Sequence, residues 1–493
     1  MQTYLKGGII NMDSFISEKN TKEIKMLLNF RVRNVLSFKE LQEFSFVAGK
    51  SIRMKERVRE TNNMNVLKFS AVYGANAAGK SNFVHALELM KKIVYMPLPN
   101  YELEYYYKFQ DVNKMETSYF EVTILINDNI YSYGFECDLK RSTITNEWLC
   151  KIQNNDEKII FERNNSDIVY GNHFSKEIKK KLEQYTLDFK NKNNMLLLKF
   201  LNTDKESLYE YEKTNILKEI YHWFFKGLNI AGPNSLITSI DNFKIEGKIC
   251  ELSNFIKCFD TGVERIIGKN IDAKDLTYRL KNDEEAFVNK ILSDVKDYSL
   301  SSLRTLENAE TITNMIRLYD DLYLITVSKT GDISVQTVIF VHKDVNEKEY
   351  EMGFMNESDG TKRIIELAGV LLNDDIDKLF VVDELDRCLH PQLTCKFIEL
   401  FLKNAEKKNN NNQLLVTTHE SRLLDQDLLR RDEVWFVSKK DNASTLYSLE
   451  EYNVRFDKKI DKAYMEGRYG GVPIFDQVLL EKMMRDENKE QCR

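Results

Sequence analysis

The chain has 493 residues, of which 42% are hydrophobic and 30% are charged. This balance is typical of a globular protein and excludes a disordered or fibrous chain. The formal net charge is −6, so the molecule is not a polycation, and any contact with nucleic acid would need a local basic patch. At roughly one domain per 150 residues, the chain has room for two to four domains.

The sequence has no apolar run of the ~18–20 residues that a bilayer-spanning helix needs. Its beginning also lacks the continuous apolar core of a signal peptide. We therefore expect a cytoplasmic protein. The 7 cysteines are scattered and never spaced as CxxC, which favours reduced thiols over a disulfide framework or a zinc site.

The predicted elements begin after a polar, weakly patterned segment. Residues 1–25 are predicted to form an N-terminal arm or frayed end, which can be disordered. A strand begins at Met26, and the apolar segment 67–73 predicts a buried strand. The segment after it has apolar residues three and four positions apart, as on a helix. Alternating segments on either side of Asn127-Asp128-Asn129 predict a hairpin.

The remainder of the chain changes character twice. Residues 151 to about 315 have mainly helical patterns and no sustained heptad repeat. Two strands follow, and then predicted helices at 361–372 and 391–403 alternate with apolar strands at 378–382 and 414–418. Apolar strands that alternate with helices imply a parallel sheet covered on both faces.

A phosphate-binding loop is the strongest motif. The pattern G-x-x-x-x-G-K-[ST] lies between the buried strand and the helix, which is the context that this loop requires. Its residues are Gly74, Ala75, Asn76, Ala77, Ala78, Gly79, Lys80 and Ser81. The glycines let backbone N–H groups turn toward phosphate oxygens, and the helix N-terminus adds positive potential. Lys80 would contact the β- and γ-phosphates of a nucleotide, and the Ser81 hydroxyl would bind Mg²⁺.

Two acidic residues follow the apolar strand 379–382 in a pattern that resembles a Walker B motif. Asp383 would hold Mg²⁺, directly or through water. Glu384 would act as the general base that orients and polarises the attacking water. The alternative is an ordinary strand that ends in a polar turn, and the phosphate-binding loop makes this the weaker interpretation.

A third motif precedes the helix at 361–372. Ser358, Asp359, Gly360 and Thr361 resemble the signature motif of ABC-type ATPases, which binds the γ-phosphate of a nucleotide held by the opposite protomer. Ser358 would donate its hydroxyl, Gly360 would allow close approach, and the helix would direct its positive end at the phosphate. A plain helix cap is the alternative. The position of the motif, about twenty residues before the Walker B pattern, favours the signature.

A fourth motif and two weaker features complete the set. A lone histidine at a strand end is usually an ordinary surface or core residue, but the order of phosphate loop, signature, Walker B and histidine, which an ABC-type ATPase requires, favours a functional role for the fourth motif. His419, after the strand at 414–418, resembles the switch histidine of the same class and would contact the γ-phosphate. Residues 386–391 occupy the place of the D-loop, where His390 could instead cap the next helix. Gln110 could be the Q-loop glutamine and a metal ligand, although a surface position is the stronger interpretation. Basic stretches at 53–59 and 176–181 contain acidic residues, so solvated helix faces explain them better than nucleic-acid contacts.

The segments that carry a family resemblance are MLLNFRVRNVLSF, GANAAGKSN, NESDGTKR, VVDELDRCLHP, VTTHE and GRYGGVP, and they span residues 26 to 473. In these segments the chain resembles the ABC-type (SMC/RecF/OLD-like), AAA-labelled ATPases of the bacterial AbiLi group. That group is associated with abortive infection and anti-phage defence.

The resemblance implies an α/β fold, a P-loop NTPase of ABC-ATPase type. Its parts would be a parallel sheet core, an antiparallel β subdomain and an inserted, mainly helical lobe. ATPase lobe I would occupy 26–150, the helical lobe 151–315, lobe II 316–450 and a C-terminal tail 451–493. The implied cofactors are ATP and Mg²⁺. Glu384, His419 and Lys80 would be catalytic, and Asn82 would be a further nucleotide contact.

The resemblance also implies partners. A homodimer or higher homo-oligomer would hydrolyse ATP and control a separate effector, such as a Toprim or HNH nuclease or a toxin. The chain has no long coiled coil like that of SMC proteins, and no acidic triad pattern follows His419, as an OLD-type nuclease would require. Two alternatives stay open. One is a nucleotide-dependent scaffold that sequesters an effector with little turnover, and the other is a RecF-like DNA-repair ATPase with nucleic acid as a partner.

Overall fold

The structure of the protein is a computed structural model. It describes residues 2–5, 8–11, 24–49, 53–61, 64–154, 156–189, 191–233, 235–238, 240–272, 285–305, 309–318, 321–407, 410–424, 428–452 and 460–469.

The described residues form 22 strands and 10 α-helices. In chain order the strands are β1 (Gln2–Leu5), β2 (Gly8–Asn11), β3 (Lys25–Arg33), β4 (Gln42–Ser45), β5 (Val58–Glu60), β6 (Asn65–Leu67), β7 (Phe69–Gly74), β8 (Ser118–Ile126), β9 (Asn129–Asp138), β10 (Thr143–Gln153), β11 (Asp156–Asn164), β12 (Asp167–Tyr170), β13 (Leu228–Ala231), β14 (Val263–Ile271), β15 (Thr311–Leu318), β16 (Asp321–Ser328), β17 (Ile333–Lys343), β18 (Glu349–Gly353), β19 (Leu379–Val382), β20 (Gln413–Thr417), β21 (Val434–Lys440) and β22 (Ala443–Ser448). The helices are α1 (Lys80–Tyr95), α2 (Lys176–Thr186), α3 (Leu197–Leu201), α4 (Asn215–His222), α5 (Asp241–Lys244), α6 (Glu246–Lys257), α7 (Glu285–Thr305), α8 (Asp359–Leu371), α9 (Pro391–Ala405) and α10 (Ile460–Met465). In the part of the chain that the structure describes, no helix has both the length and the apolar character that crossing a membrane requires.

Internal contacts divide the chain into two units. The P-loop unit comprises Ile24–Ile230, Asp377–Leu385 and Ala405–Arg493. The signature unit comprises Met1–Glu23, Ala231–Ile376 and Asp386–Asn404. Each unit therefore combines segments that are far apart in the sequence.

The P-loop unit contains a mixed sheet with strand order β13-β19-β20-β7-β21-β22. Strands β19, β20, β7 and β21 are parallel, and β22 is antiparallel to β21. Strands β7, β19 and β20 are buried along their whole length, as expected for strands covered on both faces. Val382 is in register with Val416, and Thr417 is in register with Val72. The residues that follow β7, β19 and β20 therefore lie along one edge of the sheet.

An antiparallel sheet with strand order β12-β11-β10-β9-β8-β3-β4 forms the second layer of this unit. Helix α1 packs on it through Phe83, whose ring centroid lies 5.8 Å from that of Phe30 and 5.5 Å from that of Phe44. Val381 and Leu415 of the parallel strands belong to the same buried cluster. The core thus connects both sheets with α1, and the predicted α/β fold with a parallel core and an antiparallel subdomain is confirmed.

The signature unit contains an antiparallel sheet with strand order β1-β2-β15-β16-β17-β14, and β18 pairs with β17. Met315 and Leu324 pack with residues of α5, α6 and α8, whereas Ile316 and Ile325 pack with residues of α7. Neighbouring residues of a strand point to opposite faces. Helices therefore cover both faces of this sheet.

The segment 151–315, predicted to be mainly helical, is of mixed structure. It contains α2 to α7, but β11 and β12 extend the antiparallel sheet of the P-loop unit, and β14 belongs to the sheet of the signature unit. The predicted boundary at 151 falls within β10. Strand β11 was not predicted from the sequence. Its residues, DEKIIFERN, show no regular alternation of apolar and polar side chains, and the first four are exposed.

Two short strands lie within the predicted N-terminal arm. Strands β1 and β2 form a hairpin, and β2 pairs with the end of β15 from Met315 to Leu318. Regular structure in this arm was not expected, because four-residue strands are too short to show a period. The backbone partner of β2 is β15, at the edge of a sheet and more than 300 residues later in the sequence. Residues 12–23 lie outside the described residues.

The predicted tail packs on the P-loop unit where it is described. The Tyr469 ring stacks on Phe436 of β21 with centroids 5.1 Å apart, and Tyr447 Oη donates a hydrogen bond to the Tyr469 carbonyl. Residues 470–473 of the GRYGGVP segment lie outside the described residues.

Candidate nucleotide site

The loop between β7 and α1 is a tight cradle at the carboxyl edge of the parallel sheet. Gly79 has a φ of 118° and Ala77 a φ of 62°, values in the left-handed region that glycine adopts without strain. A Cβ atom at Gly79 would lie 2.4 Å from Ser444 Oγ, and one at Gly74 would lie 2.6 Å from the Val437 carbonyl oxygen. The two glycines of the motif are therefore required sterically.

Lys80 is the first residue of α1 and is buried. Its Nζ donates hydrogen bonds to the carbonyl oxygens of Gly74, at 2.9 Å, and Ala75, at 3.2 Å. These bonds hold the ammonium group against the loop, at the positive end of the helix. A phosphate group bound in the cradle would meet both sources of positive potential.

Two serines from other elements support the cradle, and the sequence analysis did not single them out. Ser444 Oγ donates a hydrogen bond to the Ala78 carbonyl oxygen at 2.6 Å and lies 2.8 Å from Ser37 Oγ. Asn82 Nδ2 donates to Ser37 Oγ at 2.8 Å. Ser37 belongs to the NVLSF stretch that carried part of the family resemblance, but nothing in the sequence indicated that this serine contacts the phosphate loop. Asn82, which the sequence predicted as a nucleotide contact, thus binds Ser37, one of the two serines that support the loop.

The Walker B carboxylate is buried at the end of β19. Asp383 is 1% exposed, and its Oδ1 accepts a hydrogen bond from the Thr417 hydroxyl. Thr417 Oγ1 in turn accepts the N–H of Glu384 at 2.8 Å. One hydroxyl on the neighbouring strand thus contacts both acidic residues. Glu384 is half-buried and has a φ of 49°, a strained backbone conformation of the kind found at functional sites.

The residues after β20 connect this strand to β7, the strand that leads into the phosphate loop. The Thr418 N–H donates to the Val72 carbonyl oxygen at 3.1 Å, and the Glu420 N–H donates to Thr418 Oγ1 at 3.0 Å. His419 lies between them with an exposed side chain. Strand β20 is flanked by β7 and β19, so the P-loop, Asp383 and His419 follow three adjacent strands at one edge of the sheet.

The signature residues lie at the start of α8 in the signature unit. Ser358 Oγ accepts the N–H of Thr361 at 3.1 Å and lies 2.8 Å from Thr361 Oγ1. Ser358 and Asp359 are exposed, and Thr361 is buried. A Cβ at Gly360 would lie 3.1 Å from the Cys388 carbonyl oxygen, so the D-loop backbone runs close to the first turn of α8. Ser358 is thus a helix cap, and it also presents its hydroxyl at the helix N-terminus.

Ionic contacts hold α8 in place. Arg317 donates to Glu366 Oε1 at 2.7 Å, and Arg363 lies 3.5 Å from Glu366 Oε2. Burial raises the pKa of Glu366, while the two arginines act in the opposite direction. Burial lowers the pKa of Arg363. A buried charge that loses its partner is costly, so the Arg317–Glu366 contact ties α8 to β15, whereas the Arg363–Glu366 contact lies within α8 itself.

Two weaker candidates have defined positions. His390 Nδ1 accepts the N–H of Gln392 at 3.2 Å, so this histidine caps α9, as one of the two interpretations proposed. Gln110 is exposed and precedes the 3₁₀ turn Asp111–Lys114, where its carbonyl oxygen accepts the N–H of Asn113. Its assignment as a metal ligand stays a prediction.

The residues present fit a magnesium ion that arrives with a nucleotide. Within the described ranges, no three His, Cys, Asp or Glu side chains come together as a metal site. The buried Asp383 carboxylate and the half-buried Ser81 hydroxyl supply oxygen atoms, which Mg²⁺ prefers, and phosphate and water usually complete its shell.

The comparisons with solved structures return SMC head domains. One from Thermotoga maritima is 13% identical, with 86% of this chain and 98% of that chain covered and a TM-score of 0.32. One from Pyrococcus furiosus, with an extended coiled coil and bound to the C-terminal domain of ScpA, is 13% identical, with 90% and 99% covered and a TM-score of 0.32. No curated protein is significantly similar to the chain.

A family model matches the part of the chain that contains the motifs of the candidate site. Residues 69–425 match the family described as "AAA domain, putative AbiEii toxin, Type IV TA system". The match begins at the first residue of β7 and extends beyond His419, so it includes the phosphate loop, Asp383, Glu384, the residues 358–361 and His419, and it covers more than half of the chain. Ser37 and Ser444 lie outside it. The protein belongs to this family of AAA ATPases.

Proposed function

We propose that the protein binds and hydrolyses ATP with Mg²⁺, dimerises around the nucleotide and controls a separate effector in anti-phage defence. The observation that carries the proposal is the alignment of the phosphate cradle, the Asp383–Thr417–Glu384 contacts and His419 along one edge of the parallel sheet. Cradle, buried carboxylate and second carboxylate are the parts that phosphoryl transfer to water needs.

Each residue has a defined task in this proposal. Lys80 and the N-terminus of α1 bind the phosphates. Ser81 and Asp383 hold Mg²⁺, which would neutralise charge on the phosphates. Glu384 accepts a proton from the attacking water, and His419 orients the γ-phosphate end of the site. Asp383 would hold the metal while Glu384 activates the water, which divides the roles of the two neighbouring carboxylates.

Dimerisation rests on the signature residues. Ser358 and Asp359 are exposed at the N-terminus of an anchored helix, where a γ-phosphate on another protomer could approach. The nucleotide would then join two chains, with Lys80 of one chain and Ser358 of its partner on the same ATP molecule. The family description names a toxin and a toxin–antitoxin system, which supports a role in defence and in the control of an effector.

The first test separates binding from hydrolysis. Glu384→Gln should bind ATP with nearly unchanged affinity and lose turnover by about 10²–10⁴-fold, because only the general base is removed. Steady-state phosphate release and equilibrium ATP binding measure the two effects, and size-exclusion chromatography should show an ATP-dependent dimer. A variant that hydrolyses ATP like the wild type would refute the role of Glu384.

The defence role has its own test, in cells that carry the protein with its neighbouring genes. Lys80→Ala should abolish ATP binding and protection against phage together. Intact protection in this variant would remove ATP from the mechanism. Protection by Glu384→Gln at the wild-type level would favour the scaffold with little turnover, whereas salt-sensitive DNA binding with DNA-stimulated turnover would favour the RecF-like alternative.

A further inference from the structure

A buried carboxylate immediately precedes the signature serine. The Glu357 side chain is only 3% exposed, and its Oε1 lies 2.7 Å from His342 Nε2. A carboxylate only accepts hydrogen bonds, so Nε2 carries the proton that it receives. Without this partner a carboxylate buried beside Ser358 would be costly. The contact therefore determines where the Glu357 side chain lies.

His342, the residue that contacts Glu357, belongs to the antiparallel sheet of the signature unit. His342 is the penultimate residue of β17 and is in register with Val263 of β14. Its side chain is 21% exposed. Because His342 pairs with Val263 of β14 on one side and with Tyr350 of β18 on the other, two strands hold its backbone, and its imidazole contacts Glu357 from this position.

Three further contacts hold the loop from β18 to α8 at its other end. The Met355 N–H donates to Asp321 Oδ1 at 2.9 Å. The Phe354 ring is fully buried, 5.8 Å from the ring of Phe340, with the Arg317 guanidinium 5.1 Å from its centroid. These contacts hold residues 354 and 355. His342–Glu357 is the contact next to Ser358, whose extended backbone leads directly into α8.

We infer that His342 is a positioning residue for the signature motif. Through Glu357 it sets the backbone of Ser358, and so the direction of the hydroxyl and of the α8 N-terminus toward the γ-phosphate of a nucleotide on the partner chain. The inference rests on the proposed nucleotide-bound dimer. It assigns His342 to the site completed by the partner's P-loop, and not to the site of its own Lys80.

The first measurement is the ATP concentration that gives half-maximal dimerisation, in chains that also carry Glu384→Gln to prevent turnover. His342→Ala should raise this concentration about tenfold, as expected for the loss of one hydrogen bond to a charged group. His342→Gln keeps an N–H donor, so its half-maximal ATP concentration should lie close to that of chains that retain His342. Lys343→Ala is the matched control, because it removes the exposed neighbour on the same strand and should leave dimerisation unchanged.

A pairing experiment separates action on the partner's site from a general loss of structure. Chains with His342→Ala are mixed with differently tagged chains with Lys80→Ala, and ATP-dependent capture of one by the other is measured. This pair forms one intact site, from Lys80 of the first chain and the signature of the second. The control mixes wild-type chains with the double variant His342→Ala/Lys80→Ala, which has the same substitutions but no intact site.

Capture at a lower ATP concentration in the first mixture than in the control is the expected result, because His342→Ala weakens a site without abolishing it. Equal capture in both mixtures would overturn the inference while leaving the dimer intact. If chains that carry Glu384→Gln as their only substitution do not dimerise with ATP, the proposed dimer and the inference that depends on it both fail. If His342→Ala does not fold, Glu357→Ala breaks the same contact from the other side and should give the same pattern. Failure to reproduce that pattern would equally overturn the inference.

Discussion

At the scale of single residues, Thr417 connects the two acidic residues of the candidate site. Its hydroxyl donates to Asp383 and accepts the N–H of Glu384. Since Glu384 has a strained φ of 49°, its orientation depends on contacts that hold this conformation. The hydroxyl is therefore part of what positions Glu384, the proposed general base.

Replacing Thr417 by valine should reduce ATP turnover about 10–100-fold and leave ATP affinity within about threefold, because the base is misplaced while the cradle is intact. It should also lower the free energy of unfolding by about 1–3 kcal/mol, since two buried polar groups lose a partner. Steady-state kinetics and urea unfolding measure both effects. Thr417→Ser keeps the hydroxyl and should behave like the wild type, so a serine variant as impaired as the valine variant would contradict this role.

Glu433, also a single residue, should make stability depend on pH. Its side chain is fully buried, and burial raises its pKa to about 8. Asp432 acts in the same direction, whereas Arg57 and Arg430 oppose it. Between pH 4.5 and 8 the unfolded chain is ionised at this residue and the folded chain is protonated. The contribution of Glu433 to stability is thus full below pH 4.5 and is lost as the pH rises to about 8.

Glu433→Gln should remove this loss. The free energy of unfolding of the variant, minus that of the wild type, should increase by roughly 3–5 kcal/mol when the pH is raised from 5 to 9. Urea unfolding at a series of pH values gives the difference. Glu157→Gln, at an exposed position of β11, is the control and should run parallel to the wild type. Parallel curves for Glu433→Gln as well would show that the residue ionises normally in the folded state.

At the scale of elements, the hairpin of β21 and β22 supports the phosphate loop. Val437 of β21 is in register with Gly74, and Ser444 of β22 contacts Ala78 and Ser37. The same hairpin leaves no space for side chains at Gly74 and Gly79. The loop conformation is thus imposed from outside as well as by its own glycines.

Ser444→Ala should therefore weaken ATP binding about fivefold, since a loop that loses a hydrogen bond of about 1 kcal/mol must be ordered by the ligand instead. Turnover at saturating ATP should change less than twofold, because the acidic residues are unaffected. Titration calorimetry and steady-state kinetics measure the two quantities. Thr445→Ala, at the exposed neighbouring position, should change neither. A loss of turnover without a loss of affinity would contradict a supporting role.

At the scale of the whole molecule, two units need not unfold in one transition. The 3 tryptophans, Trp148, Trp223 and Trp435, all belong to the P-loop unit, so their fluorescence follows that unit alone. Mg-ATP at 100 times its Kd should stabilise this unit by about 2.7 kcal/mol. A fluorescence melting curve should shift upward by several degrees, and the Lys80→Ala variant should show no shift. An equal shift in both would place nucleotide binding elsewhere.

The sequence alone was sufficient for the local parts of the site. The Gly74–Ser81 pattern predicted the loop between β7 and α1, and the apolar run before Asp383 predicted a buried strand with a carboxylate at its end. These features depend on backbone conformations and burial patterns that span only a few consecutive residues, so they are readable without a partner segment.

The tertiary structure decided everything that depends on distant segments. Ser37 and Ser444 meet at the cradle across 407 residues, and β1 and β2 join a sheet with β15 instead of forming a separate arm. The His342–Glu357 contact likewise joins a strand to a loop. Serine, histidine and short polar strands are common on any surface, so no local pattern identifies them. Their roles arise only when strand pairing and burial bring them to a partner, because a hydrogen bond becomes decisive only where water is excluded.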